Sequence, residues 1–388
     1  MMCLTTVNDT ITYPQITNMT LEELTTLDKL NDAFYDCSKI SWWKERTQRY
    51  KVNLLINNTK LQSDVRNHHY KVSPTTKFTI NERGKPRGIE APATRDRVIQ
   101  KVLCKYILIP YLTKPLIYDN YASIKNRGTS FARKRVDILL RRFVNQYGGD
   151  GYVVQIDIRK YFENIDHDIL KSMMHPYIKE PPEIIKLVDY MVDTSSNSNK
   201  GLNLGAEAPQ TFAIFYLNQM DQYFKTVLGV KFYGRYVDDI IIFAKTKMEA
   251  KFYLQEAEKQ LTLLKLEINK KKTHITKLSH GFTFLQIKYH VDGKKIIKRP
   301  THNKIVRERR RLKKYKEKYK NGLLTEFDIH NYYKSWRNNI VKDCKHSNRT
   351  IKSMDLLYKN LFPVHEERMK LTRNDLIEKL YLEDSYGS

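Results

Sequence analysis

The sequence predicts an α+β fold on three observations. Between residues 71 and about 290, short strand-like runs (KFTINERG, GYVVQIDI, VKFYGRY, DDIIIFAK) alternate with longer helical ones (RDRVIQKVLCKYILIPYL, DHDILKSMM, KMEAKFYLQEAEKQLTLLKL). The flanking segments, 18 to 70 and from Lys294 onward, are helical in pattern. With 41% hydrophobic residues, including 26 Tyr and 15 Phe, the 388-residue chain can bury a large core, divided into two or three packed subdomains.

In chain order, TLEELTTLDKLNDAFYDC opens with Thr20 followed three residues later by Glu23, the arrangement in which a hydroxyl and a carboxylate each satisfy an orphan amide at a helix start. KVNLLINNTKLQSDV continues with apolar residues at helical spacing. In GYVVQIDIRKYFENIDHDIL, Val153, Val154 and Ile156 form a buried strand that delivers Asp157 at its C-terminal end, and Asp166 caps the helix that follows. YGRYVDDIIIF, residues 233 to 243, reads as a hydrophobic hairpin with two aspartates at its turn. Beyond Lys294 the chain is expected to be basic and helical, most densely in HNKIVRERRRLKKYKEKYK.

Composition narrows the partners. Sixty-nine Lys and Arg against 43 Asp and Glu give a formal net charge of +26, which calls for a polyanion, nucleic acid before any other. Arg and Lys interleaved with Tyr315, Tyr319, Tyr332, Tyr333 and Trp336 suit a phosphate-tracking surface with stacking platforms, although charge runs are often only solvated helix faces. No apolar run approaches the roughly 20 residues that span a bilayer, and the N-terminal MMCLTTVNDTITYPQ has no basic then apolar leader pattern. The expectation is a cytoplasmic protein with no membrane partner. Four cysteines, Cys3, Cys37, Cys104 and Cys344, lack the paired spacing of a zinc site or disulfide framework.

The paired aspartates need a reason. A carboxylate at the end of one strand and another in the turn of a neighbouring hairpin can meet at one sheet edge, where they repel unless a cation neutralises them. Hard oxygen ligands select Mg2+, which keeps phosphates and water as its remaining ligands, and two such ions about 4 Å apart stabilise in-line phosphoryl transfer. Alone, either the Asp-Asp pair or the Asp157 strand exit is common enough to be a surface feature.

Taken together and in order, the motifs resemble those of reverse transcriptases. IDIRKYFENIDH is similar to the family's first catalytic motif and YGRYVDDIIIF to its Tyr-x-Asp-Asp hairpin. KPRGIEAPATRDRVIQKVL and YASIKNRGTSFA resemble fingers segments of bacterial members. GLNLGAEAPQTFAIFYLNQMD resembles the nucleotide-positioning segment, LEINKKKT the one after the hairpin, and GFTFLQI the primer grip, so the likeness runs from residue 85 to 287. It implies a right-hand polymerase: an N-terminal helical extension over 1–70, fingers and an antiparallel-sheet palm over 71–295, and a basic helical thumb over 296–388.

The resemblance also implies roles. Asp157, Asp238 and Asp239 would be catalytic, with Asp157, Asp238 and the Ile158 carbonyl holding two Mg2+ ions. Phe162 would exclude a ribose 2′-hydroxyl. Lys85 and Arg87 would meet the triphosphate, although GKPRG is also a good turn sequence. Leu204, Gln210 and Lys272 would lie at the nucleotide, Lys272 as proton donor to pyrophosphate or as a plain surface lysine. Tyr236 would pack under primer or template, and Arg307, Arg310, Arg311 and Lys314 would track the product duplex.

The departures matter too. Asn203 and Leu204 stand where many members carry Pro-Gln, Ile124 replaces an arginine, and Gln286 replaces the primer-grip glycine. GLNLGAEAPQ looks most like the enzymes of diversity-generating retroelements and of bacterial antiphage defence. No RNase H, protease, integrase or HNH signature is visible. The leading expectation is an RNA-directed DNA polymerase that takes dNTPs, copies a dedicated non-coding RNA into DNA in antiphage defence, and works alone, as a homo-oligomer or with an accessory protein. The alternatives are a retroelement polymerase, an RNA-dependent RNA polymerase, or a catalytically idle nucleic-acid-binding scaffold.

Overall fold

The computed structural model describes residues 18–363, apart from 83–84, 204 and 345. The chain forms two compact units. Of the described residues, the first comprises those within 18–128, 154–242 and 248–274, and the second those within 129–153, 243–247 and 275–363.

The first unit opens with the expected helices. Leu21–Leu24 carries the Thr20 and Glu23 capping box, and Leu27–Ser38, Glu45–Val52 and Leu54–Arg66 follow. The hydroxyl of Thr20 accepts from the Glu23 amide at 3.2 Å while the Glu23 carboxylate accepts from the Thr20 amide at 2.9 Å, an arrangement worth about 1 kcal/mol. Strands β1 (Thr76–Glu82) and β2 (Lys85–Ala91) form an antiparallel ribbon. Strand β3 (Tyr152–Ile156) ends one residue before Asp157, and the Asp166 carboxylate caps helix His167–Met174 by accepting from the Ile169 amide at 3.0 Å.

Strands β4 (Tyr233–Tyr236) and β5 (Asp239–Ala244) pair antiparallel, with Tyr236 opposite Asp239, and β5 lies between β4 and β3. Helix Glu207–Tyr216, whose Ile214 carbonyl accepts from Arg235 of β4, is buried at every position from Ala208 to Tyr216 except Gln210. A helix apolar nearly all round is stable only when packed on all sides.

Gly234 marks the tightest approach in this core. A Cβ added there would lie 2.0 Å from the hydroxyl oxygen of Tyr121 and 2.6 Å from its Cζ, and Tyr121 is itself fully buried. Gly234→Ala is expected to destabilise the protein by about 1–3 kcal/mol through overpacking. A urea midpoint equal to that of wild type would show that Tyr121 can move aside.

In the second unit, strands Phe282–Phe284, Ile287–Asp292 and Lys295–Pro300 form an antiparallel meander, followed by helices His302–Lys320, Glu326–Asp343 and Asn348–Leu361. The expectation of helix from Lys294 onward is therefore corrected: six residues of strand come first. KIIKRP pairs with the preceding strand across the two-residue loop Gly293-Lys294, closed by Asp292 facing Lys295, and Gly293 has φ +55°, so a glycine at the first loop position outranked the charge run. Leu285 and Gln286 both take positive φ, 44° and 66°, in the tight turn between the first two strands. Gln286 thus keeps the left-handed backbone that glycine adopts readily. Trp336 stacks on Tyr333 at 5.6 Å against a core of Ile305, Leu312, Ile329 and Met354.

Candidate active site

Asp157 is presented by β3 and Asp238 by the two-residue loop between β4 and β5. Both line one cleft of about 800 Å³ in the first unit, together with Ile158, Phe162, Asn269 and Lys272. The cleft is also lined by Lys77, Phe78 and Thr79 of β1 and by Gly88, Ile89 and Glu90 of β2.

Asp157 is held from three sides. Its amide donates to the Thr273 hydroxyl at 3.3 Å, its carbonyl accepts from the Asn269 amide at 2.7 Å, and its carboxylate accepts from the Asn269 side chain at 3.0 Å. The Lys272 ammonium reaches both carboxylate oxygens, at 2.8 and 2.9 Å. Lys272 is 53% exposed against 16% for Asp157, so this pair is screened by solvent and adds at most about 1 kcal/mol to stability. Ile158 pairs with Ile268 in an isolated antiparallel bridge, which holds the segment after the hairpin alongside Asp157.

The Asp238 loop is built differently. Val237 has φ +57°, a left-handed backbone that a β-branched side chain disfavours and that first loop positions of such hairpins usually give to glycine. Holding it there costs on the order of 1–3 kcal/mol. Arg235, fully buried, supplies the hold by donating Nη1 to the Val237 carbonyl at 2.8 Å. The rest of its fork is engaged as well. Nε donates to Asp221 at 2.9 and 3.0 Å, and Nη2 reaches Asp221 at 2.5 Å and the Ile214 carbonyl at 2.8 Å. The Tyr233 hydroxyl donates to the same carboxylate at 2.6 Å. Burial disfavours the charge on Arg235, but the attraction and hydrogen bonds of Asp221 outweigh it, and the guanidinium pKa rises. The Tyr233 phenol is pushed well up, first by burial and then by the Asp221 charge.

Of the residues singled out in the sequence, the cleft gathers Asp157, Ile158, Phe162, Asp238 and Lys272. Asp239 begins β5 with an exposed side chain, Tyr236 ends β4 half-buried, and Gln210 is exposed on helix Glu207–Tyr216; none is among the lining residues. Lys85 and Arg87 lie on β2 with side chains outside the described ones, and Leu204 is outside the described residues. Arg307, Arg310, Arg311 and Lys314 are exposed on helix His302–Lys320 of the second unit. Arg307 donates to Gln286 at 2.9 Å and Arg311 to the Tyr332 hydroxyl at 2.7 Å.

Sequence reasoning missed Asn269, Thr273, Arg235 and Asp221. Asn269 and Thr273 stood in plain view inside LEINKKKT. Arg235 and Asp221 carried no local signal, since an arginine in a strand reads as its solvent face.

The donor set suits a hard divalent cation. Two carboxylates and a carbonyl supply oxygen only, and among the described residues no three His, Cys, Asp or Glu side chains converge to hold a metal by themselves. Mg2+ fits such a partial set because it usually takes one or two carboxylates and completes its shell with phosphates and water. Among the described residues no helix is long and apolar enough to cross a membrane.

Comparison with known proteins places these features. One curated relative, Protein YkfC of Escherichia coli (strain K12), is 23% identical over 265 residues, covering 58% of this chain and 69% of that protein. Two solved structures are also similar. Apo telomerase from Candida tropicalis, truncated from its C-terminal domain, aligns with TM-score 0.44 at 12% identity over 62% of this chain and 59% of that one. Telomerase from Candida albicans in complex with a fragment of telomeric RNA gives 0.47 at 11% identity over 75% of this chain and 61% of that one. The match thus spans about three-fifths of those telomerase chains. The family model described as reverse transcriptase (RNA-dependent DNA polymerase) matches residues 73–289, more than half of the chain and all of the cleft's carboxylates, so the chain belongs to the reverse transcriptase family.

Proposed function

We propose that the protein synthesises DNA on an RNA template from dNTPs, with the cleft of Asp157 and Asp238 as its polymerase site. The observation that carries this reading is the presentation of both carboxylates into one cleft by neighbouring strands, inside the family-matched span. Asp157, Asp238 and the Ile158 carbonyl would hold Mg2+, which when bound neutralises charge on the transferring phosphoryl group. Asp239 supports the turn. Phe162, on the cleft wall, excludes a 2′-hydroxyl, and Lys272 exchanges its ion pair with Asp157 for the leaving pyrophosphate. Lys85, Arg87, Leu204 and Gln210 belong to the nucleotide side of the site and Tyr236 to the primer side.

In this reading residues 71–295 are fingers and palm, residues 1–70 are an N-terminal extension, and residues 296–388 are a thumb whose Arg307, Arg310, Arg311 and Lys314 follow the duplex backbone. The setting we favour is cytoplasmic antiphage defence with a dedicated non-coding RNA, supported by the atypical GLNLGAEAPQ segment.

The test is to purify the protein with its co-expressed flanking DNA, add Mg2+ and labelled dNTPs, and sequence the product. One RNA copied into DNA, with no product after ribonuclease treatment, is the expected result. A product matching a template repeat with scattered substitutions would reassign the enzyme to a diversity-generating retroelement. Failure on both the co-purified RNA and an added primed RNA would overturn the polymerase reading. Phe162→Ala is expected to relax discrimination against ribonucleotides by about tenfold or more, because rejection by bulk disappears with the ring. Unchanged dNTP over rNTP preference would remove Phe162 from that role.

A further inference from the structure

Trp42 and Trp43 stand 64% and 66% exposed on the turn between helices Leu27–Ser38 and Glu45–Val52. Single exposed apolar residues are ordinary, but two adjacent indoles forgo a large burial gain that a loose turn could recover by folding them inward. This turn is fixed. The Ser41 amide donates to the Ser38 carbonyl at 2.8 Å and the Lys44 amide to the Ser41 carbonyl at 3.0 Å. From helix Thr94–Leu103, Arg97 donates to the buried Ser41 hydroxyl at 3.0 Å and also to the Cys37 carbonyl, while the Gln48 side chain donates Nε2 to the Trp42 carbonyl.

The charge around the indoles is net positive. The acids of the stretch, Asp36 and Glu45, pair with Lys39 at 2.8 Å and Arg49 at 2.6 Å. Lys44, Arg46 and Lys51 add three further cations, with Lys44 lying 5.5 Å over the Trp43 ring. The turn also points a way to the cleft. Arg46 donates to the hydroxyl of Thr76, the first residue of β1, at 3.1 Å, and the next three residues, Lys77, Phe78 and Thr79, line the wall of the cleft that contains Asp157 and Asp238.

Rigid aromatic faces beside cations are how proteins hold single-stranded nucleic acid: bases stack on the rings and phosphates meet the cations. A protein partner would favour an apolar centre depleted of charge. We propose that Trp42 and Trp43 form a stacking platform for single-stranded RNA, the stretch of template not yet copied, with Arg46 and β1 leading it to the cleft. The platform rests on the polymerase reading for the identity of the strand, not for its ability to bind RNA.

The chain has three tryptophans, so Trp336→Phe leaves the platform as the only source of tryptophan emission under indole-selective excitation. In that full-length background, oligouridylate should quench the emission saturably. In filter binding, Trp42→Ala with Trp43→Ala should weaken oligouridylate affinity by at least about tenfold, since both stacking faces are lost. Trp42→Phe with Trp43→Phe should restore most of that affinity. Lys44→Ala with Arg46→Ala should flatten the salt dependence by about one to two counterions.

An affinity within about twofold of wild type in the double alanine variant would overturn the proposal. So would a shift of that variant to a smaller species in sedimentation with RNA binding intact, which would assign the indoles to an interface between copies. The two readings separate cleanly. Quenching by RNA in a protein that polymerises nothing keeps the platform and removes the polymerase, whereas synthesis with RNA binding indifferent to the indoles does the reverse.

Discussion

Asp238→Asn is expected to reduce deoxynucleotide incorporation by about a thousandfold or more while leaving the fold intact. The loss follows from charge. A metal at the reacting phosphate supplies several kcal/mol of transition-state stabilisation, and about 4 kcal/mol corresponds to a thousandfold in rate. Asparagine fills the same volume but offers a neutral oxygen to the cation. The fold survives because the loop is set by the pairing of Tyr236 with Asp239 and by the grip of Arg235 on the Val237 carbonyl, neither of which uses the Asp238 carboxylate. Without metal, the variant should unfold close to the wild-type temperature, because both contacts that set the loop remain. Single-turnover incorporation on a primed RNA, paired with a thermal melt in EDTA, reads both quantities. A rate above about a tenth of wild type would overturn the proposed role of Asp238 as a metal ligand.

Arg235→Leu should fail in the opposite order, through stability first. It leaves Asp221 buried without its counter-charge, and breaking one side of such a pair costs about 3–5 kcal/mol. For a unit of this size that is a fall in melting temperature on the order of 10 °C. The activity can be separated from the stability by combining Arg235→Met with Asp221→Asn. That pair removes the stranded charge and keeps an acceptor for the Tyr233 hydroxyl, so much of the stability should return. The Val237 carbonyl still has no donor, so the strained loop is free to relax and the rate constant should stay low with little change in apparent nucleotide KM. Recovery of the rate together with the stability would show that Arg235 only fills the core.

Much of the site was legible because its chemistry is local. Asp157 follows three apolar residues of one strand, the paired aspartates interrupt a run of aromatic and β-branched residues, and Phe162 and Lys272 sit at fixed offsets from them. The Thr20 and Asp166 caps were readable for the same reason, since a cap depends on residues three apart. The strand at Lys295–Pro300 was misread because a charge run masked the loop glycine, Gly293, that favours a hairpin.

By itself, then, the sequence determined the α+β class, the order of the motifs and the place of Asp157, Asp238 and Lys272 in them, because periodicity and spacing act over a few residues. Only the tertiary structure decided what holds them. Arg235 and Asp221 are 14 residues apart, and Asn269 is 112 residues from Asp157, separations over which no local pattern ties one residue to the other. A buried guanidinium is stable only where a folded core supplies a carboxylate and two carbonyls at once, and that convergence is a property of packing rather than of any one segment.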